Sequence, residues 1–341
     1  MQKRLISLLK FGVFFGLGIF LVWWSVHKLS DKDYAEFINA LKTANYYLLI
    51  PVFFILIASH LSRAIRWKIL MNAMGYNPRL SNTFSAVMVG YLANFAFPRL
   101  GEVLKCTILG KYEKVPPDKL VGTILVERAV DLISFLIIII ISLLTQAKVV
   151  GAFAKEKLDT YFFSQNKEIA IIKLIGVILI ILAAIFILKF IFKKYLHIKL
   201  VQRIKNIFIG IKVGLLSVRN LQNKWLFILH SIFIWACYLG GTYIGFFAIK
   251  ETSVLPLLAA FPVLVFGTVA TMITPGGIGL YPVFLMEAML LYKVPESFGT
   301  ANGWLQWSAQ FIITLIVGFD CLLVLPYINK PKNEISTIDT P

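Results

Sequence analysis

Two apolar stretches that each break near their middle limit what this chain can fold into. Residues 82–113 hold two short hydrophobic pieces joined by FPRLGE, and residues 255–292 hold two more joined by TPGGIGLYP. Each piece is too short to carry a helix across a bilayer, which takes roughly 20 apolar residues. Six unbroken runs lie around them, at about 8–26, 46–62, 121–145, 169–192, 225–249 and 299–326. Non-helical backbone at hydrocarbon depth is tolerated only where protein or a wet cavity covers it. The broken stretches therefore read as two re-entrant helical hairpins set among six full transmembrane helices.

Composition agrees. Apolar residues fill 59% of the 341 positions, so the chain reads as one all-α integral membrane domain spanning residues 1–341, with almost no room for a separate soluble domain. The first run follows Lys3, Arg4 and Lys10, as a signal peptide's would. FGVFFGLGIFLVWW, however, lacks a small-residue cleavage site and ends in a tryptophan pair, which predicts an uncleaved anchor. The net charge of +17 raises the question of nucleic acid, but the basic residues lie between apolar runs and fit the positive-inside rule better. No nucleic-acid partner is expected. Cys106, Cys237 and Cys321 are far apart and show no metal-ligand spacing, so they read as packing residues.

Charge also sets the threading. SRAIRWK (62–68) carries three basic residues and no acid, and 193–224 carries eight basic residues and no acid, so both are expected on the cytoplasmic side. The loops at 28–45 and 146–168 mix seven lysines with six acids and are expected outside. Both termini then face the cytoplasm of a multi-pass inner-membrane protein. The first hairpin (82–113) enters from the cytoplasmic side and the second (255–292) from outside. Residues 46–145 and 225–326 thus form two repeats of opposite orientation, the arrangement of secondary transporters with a midplane site. No residue-level repeat accompanies the hydropathy symmetry. Segment 193–224 reads either as an interfacial helix, with Val201, Ile204, Ile207, Phe208, Ile211 and Leu215 on one face, or as a basic linker.

The first break carries charge. Pro98 ends a helix and Gly101 permits a turn. Glu102 then falls in the first turn of the next helix, where a carboxylate favours the dipole. Arg99 presents a planar fork suited to phosphate. The second break exposes Gly276, Gly277 and Gly279 at a helix start, an anion-binding device. In VERAVDLISF, Glu127 and Asp131 share one face with Arg128 adjacent, and ionisable residues inside a span face a bundle interior or wet cavity. Arg99 or Arg128 is expected to hold a substrate phosphate, with Glu102, Glu127 and Asp131 holding the arginines and Asn94 and Lys105 completing a polar wall. A purely structural ion cluster is compatible with the same residues. His60 and His230 read as packing residues, and Trp225, Trp304 and Trp307 as interfacial anchors.

NFAFPRLGEVLK (94–105) resembles a box of the lysylphosphatidylglycerol synthase transmembrane, flippase-like family. RAIRW (63–67), ERAVD (127–131) and TPGGIG (274–279) are similar to further boxes of that family in the same order. The resemblance covers about residues 10–326. It implies a membrane domain that moves lipids or lipid-linked products between leaflets, here as a stand-alone member without the soluble aminoacyl-transferase domain. Leu280, Tyr281 and Pro282 follow the glycine box where relatives often carry charge, and Lys105 stands where arginine is common; both bear on headgroup choice.

The reading is a flippase-like transporter of an anionic phospholipid or polyprenyl-phosphate lipid, with no catalytic residue, cofactor or metal, and with a second copy of itself (a homo-oligomer) as a candidate partner. Two alternatives remain open. A membrane glycosyl- or phosphotransferase would use the two acids of DKD (31–33) for a metal. A proton-coupled small-solute transporter would use Glu287 or Asp320.

Overall fold

The computed structural model describes residues 29–97, 100–149 and 221–330, with isolated positions at 16, 20, 23, 27, 151 and 152. The expected spans at 169–192 and (those isolated positions apart) 8–26, nearly all of the basic segment 193–224, and Pro98 and Arg99 lie outside the described residues. Among the described residues every regular element is helical. In chain order these are α1 Asp31–Thr43, α2 Leu49–Asn72, α3 Leu80–Ala96, α4 Leu100–Glu113, α5 Pro117–Thr145, α6 Lys224–Phe246, α7 Ala260–Ile273, α8 Leu280–Leu290 and α9 Glu296–Ile328. Among the described residues, three helical segments are long and apolar enough to cross a membrane: Tyr46–Asn72, Lys224–Phe246 and Glu296–Ile328.

Both breaks fall where proline and glycine demand. Phe97 is extended (φ −140°, ψ 128°) ahead of Pro98, and Thr274 (φ −111°, ψ 149°) ahead of Pro275. The arms α3 and α4 then approach so closely that a Cβ on Gly101 would collide with the carbonyl oxygen of Gly90. At the second break Gly276 takes φ 59°, a left-handed conformation that a side chain resists.

The end of each hairpin reveals a short repeat that the sequence reading did not register. Lys114-Val115-Pro116 and Lys293-Val294-Pro295 adopt one conformation. The lysines stand at φ 54° and 61°, the valines are buried, and each proline caps the long helix that follows.

The packing between the two groups of helices is reciprocal. α2 and α6 lie against each other and run antiparallel, since Arg63 reaches Tyr238 while Arg66, further along α2, reaches back to Ser231. α9 packs on α3, the first arm of the first hairpin; α5 packs on α7, the first arm of the second, through Phe135, Ile138 and Leu264. Asn82, at the open end of the first hairpin, binds Glu113 and Asn329 and so ties that end to the C-terminal end of α9. The second hairpin runs directly into the N-terminal end of α9. The hairpins therefore approach from opposite ends of α9, and their tips meet beside its middle. There the Phe95 ring fills the space a Cβ on Gly276 would need, and rests edge-on against Phe311 at 5.1 Å.

Three expectations are corrected. α2 does not stop near residue 62 but continues to Asn72, so SRAIRWK is helical and Arg63 and Arg66 are buried rather than flanking charges. Trp307 is no interfacial anchor: its Nε1–H donates to the Gly276 carbonyl at 2.9 Å and its ring stacks on Phe311. DKD is not a loop. It forms the first turn of α1, where Ser30 accepts from the Asp33 amide and both acids complement the helix dipole.

Candidate functional site

An ion cluster sits where α2, the first hairpin and α5 meet. Its origin is positional. Arg63 and Arg66 are three apart on α2, and Glu127 and Asp131 are four apart on α5, so each pair shares a helix face. Asp131 accepts from both arginines at 2.6 Å. Arg63 also donates to Tyr238 at 3.2 Å and Arg66 to Ser231 at 3.1 Å. Glu127 takes Lys105 of α4 at 3.0 Å and stands 3.7 Å from Arg66. The Lys105 ammonium lies 4.1 Å from the Trp67 ring centroid, which adds a cation–π contact. Arg128 pairs with Glu102 at the start of α4.

These groups differ sharply in access. Arg66 is fully enclosed, whereas the Arg128 side chain is 59% exposed. Arg63, Tyr91, Asn94, Glu102, Lys105, Glu127, Arg128 and Asp131 line one small cavity of about 20 Å³, room for a single water. Among the described residues of the cluster, four cations face three carboxylates. Several hydrogen-bonding atoms there are buried without a partner, including Arg63 Nε, Arg66 Nε and Glu102 Oε2. A buried donor left unpaired is costly, and an arginine fork with spare donors is what an oxyanion seeks.

The structure brings together six residues singled out from the sequence: Asn94, Glu102, Lys105, Glu127, Arg128 and Asp131. Their roles shift. Asn94 caps α4, its Oδ1 accepting from the Gly101 amide at 2.9 Å. Asp131 holds Arg63 and Arg66 and Glu127 holds Lys105, while Glu102 pairs with Arg128; Arg99 lies outside the described residues. Gly276, Gly277 and Gly279 do not line the cavity; they form the tip of the other hairpin. The Gly277 amide is already engaged by the Thr274 carbonyl at 3.0 Å. Arg63 and Arg66 were not assigned to the site beforehand. The signal was present: two arginines on one face of an apolar helix require buried acids, and Glu127 and Asp131 are a matching pair in another apolar run.

The residues behind the alternative readings fall elsewhere. Glu287 and Asp320 are exposed on their helices. His230 is hydrogen-bonded to Ser62 at 2.8 Å, and His60 packs on Tyr91. The three cysteines are free and buried. Among the described residues no three His, Cys, Asp or Glu side chains gather closely enough to hold a metal ion.

The family model for the lysylphosphatidylglycerol synthase TM region matches residues 7–318. The chain belongs to that family. It is therefore a membrane protein, in keeping with the length and apolar composition of its helices. It is also similar to a UPF0104 membrane protein of Methanocaldococcus jannaschii, at 23% identity over 89% of this chain and 91% of that protein. No solved structure matches the chain. All four boxes that carried the resemblance fall within the matched residues, and three of them, RAIRW, ERAVD and the LGEVLK half of the first, supply the ion cluster.

Proposed function

We propose that this protein translocates an anionic phospholipid or lipid-linked phosphate between membrane leaflets, as a flippase-like member of its family. The observation that carries the reading is the ion cluster: arginines with spare donors, buried among membrane helices, at the base of a hairpin tip. A charge in the middle of a bilayer costs about 3 kcal/mol or considerably more, so a headgroup phosphate needs fixed cations along its route. Arg128, the open cation of the cavity lining, and Arg63 beneath it supply guanidinium forks, and Arg99, which follows Pro98 in the sequence, would add a third. The Gly276–Gly279 backbone would receive the phosphate at the other hairpin.

The reading includes two inverted repeats, 46–145 and 225–326, each with a re-entrant hairpin, among six spans with both termini cytoplasmic. The antiparallel pairing of α2 with α6, the reciprocal packing of α5 on α7 and α9 on α3, and the matched KVP junctions favour it. A cavity of about 20 Å³ is too small for a phosphate group, so this is the closed form of the site. Moving α4 away from α5 widens it, because the Arg128–Glu102 and Lys105–Glu127 pairs join the two helices across it. The lipid's chains would stay in the hydrocarbon throughout.

The test is leaflet exchange in proteoliposomes with labelled phosphatidylglycerol, a zwitterionic phospholipid and a polyprenyl phosphate. Exchange of one anionic lipid, lost in Arg128→Gln and Arg63→Gln while the protein remains folded, supports the reading. Exchange indifferent to both substitutions discards the site, and no exchange of any lipid discards the function.

A further inference from the structure

We infer that Glu102 is a tethered competitor for the anionic headgroup: it occupies the fork of Arg128 while the site is empty, and the arriving phosphate displaces it. The inference rests on the flippase-like reading and concerns what regulates admission to that site.

Within the cluster, the carboxylates are not equivalent. Asp131 serves two arginines and Glu127 serves Lys105 with Arg66 nearby. Removing either would strand an enclosed cation. Glu102 serves Arg128 alone among the described cations. Arg128 is also the one open cation of the four: its side chain is 59% exposed, against 10% for Arg63, 0% for Arg66 and 13% for Lys105. An ion pair whose arginine lies open parts at smaller cost than one sealed on both sides. The Arg128–Glu102 pair is therefore the weak link in the wall of the cavity, while the pairs beneath it are fixed.

Position strengthens this. Glu102 is the third residue of α4, directly after the hairpin break, whereas Arg128 belongs to the long helix α5. The pair bridges the two elements that must part to enlarge the site. Only one Glu102 oxygen is engaged; Oε2 is buried with no partner, so the carboxylate is held by half of what it can accept. Arg63 Nε, in the same cavity, is likewise a buried donor without an acceptor. A carboxylate and a phosphate both accept an arginine fork through two oxygens, so one can replace the other on Arg128. A phosphodiester carries two charged oxygens as a carboxylate does, but it is not fixed to α4 and can turn one of them towards Arg63, whose Nε lacks an acceptor, which gives it the advantage. Zwitterionic headgroups bring an ammonium beside the four cations and lose that advantage.

The experiment measures binding of phosphatidylglycerol carrying a fluorescent acyl chain to the full-length protein in zwitterionic nanodiscs, with inorganic phosphate as a competitor. Glu102→Gln is expected to tighten binding about two- to fivefold, the size of an opened, partly exposed ion pair. Glu102→Asp, which retains the charge but withdraws it, is expected to fall between. Arg128→Gln weakens binding, and Glu102→Gln added to it brings no gain, since the competitor then has nothing to occupy. Inorganic phosphate that displaces the lipid assigns the chemistry to the phosphate alone; displacement only by a second lipid assigns it to the headgroup with its chains. Unchanged or weaker binding in Glu102→Gln, with wild-type melting, overturns the inference and leaves the flippase-like reading standing. No binding of the labelled lipid to wild type or any variant overturns both.

Discussion

Asp131→Asn is the most informative single change to the ion cluster. The substitution keeps the shape of the side chain and removes its charge. In the native protein, Asp131 accepts from Arg63 and Arg66 at 2.6 Å each, and Arg66 has no exposed surface. The nearest remaining carboxylate to Arg66 is Glu127 at 3.7 Å, itself shared with Lys105. An asparagine can accept one hydrogen bond through its oxygen, but its amide then points a donor at the second guanidinium. Removing one partner of a buried pair destabilises by about 3–5 kcal/mol, because it leaves an enclosed charge uncompensated. At roughly 2–3 °C per kcal/mol for a protein of this size, the apparent melting temperature in detergent should fall by about 6–15 °C. Differential scanning fluorimetry of purified wild type and variant reads this directly. The comparison is Glu102→Gln, which removes an equally charged residue from a half-open pair and should shift melting by only about 2 °C. A melting temperature for Asp131→Asn within about 2 °C of wild type would refute the argument that this carboxylate neutralises a sealed cluster. A second check uses replacement rather than removal. Arg63→Met, Arg66→Met and Asp131→Leu together eliminate the charges as a set, and should restore part of the lost stability while abolishing any lipid exchange.

Further outcomes follow from the hairpins. Gly276→Ala meets the Phe95 ring and forces alanine to φ 59°, so it should lose about 1–2 kcal/mol from conformation alone and more from the collision; pairing it with Phe95→Ala should relieve only the collision, as thermal melts of the three variants will show. Gly101→Ala pushes against the backbone carbonyl of Gly90, which cannot rotate away, and is expected to cost about 1–3 kcal/mol and to separate α3 from α4, measured by melting and by protease sensitivity at the break. Lys114→Gly and Lys293→Gly should each stabilise slightly and by similar amounts, about 1 kcal/mol, because both lysines occupy left-handed backbone in matching junctions. Asp31→Ala should leave lipid movement and its response to chelators unchanged; loss of a metal-dependent turnover would instead favour the transferase alternative.

How much of this was legible in the residues depends on which physical signal each feature leaves. The two hairpins were readable because Pro98 with Gly101 and Pro275 with the glycines cannot continue a helix, and apolar pieces on either side are too short to stand alone. The acidic half of the ion cluster was readable because Glu127 and Asp131 sit one turn apart inside an apolar run. Its basic half was misread. A short apolar run followed by three cations looks like a helix end, since flanking charge and buried charge have the same local composition; only the acids on a distant helix distinguish them. Asp131 is 65 residues from Arg66, so the pairing is a tertiary fact. The KVP junctions escaped notice for a related reason: three residues are too few to stand out in a chain rich in valine and lysine, and it is the shared left-handed lysine that makes them equivalent. Trp307 shows the converse error. A tryptophan near a span's end suggests the interface, yet α9 begins at Glu296, eleven residues earlier, which places Trp307 about 17 Å into the helix beside both hairpin tips. The site is thus assembled from residues whose local sequence describes a turn, a flank and a span, and its chemistry arises only where α2, α4 and α5 bring those three together around Arg63, Glu102 and Arg128.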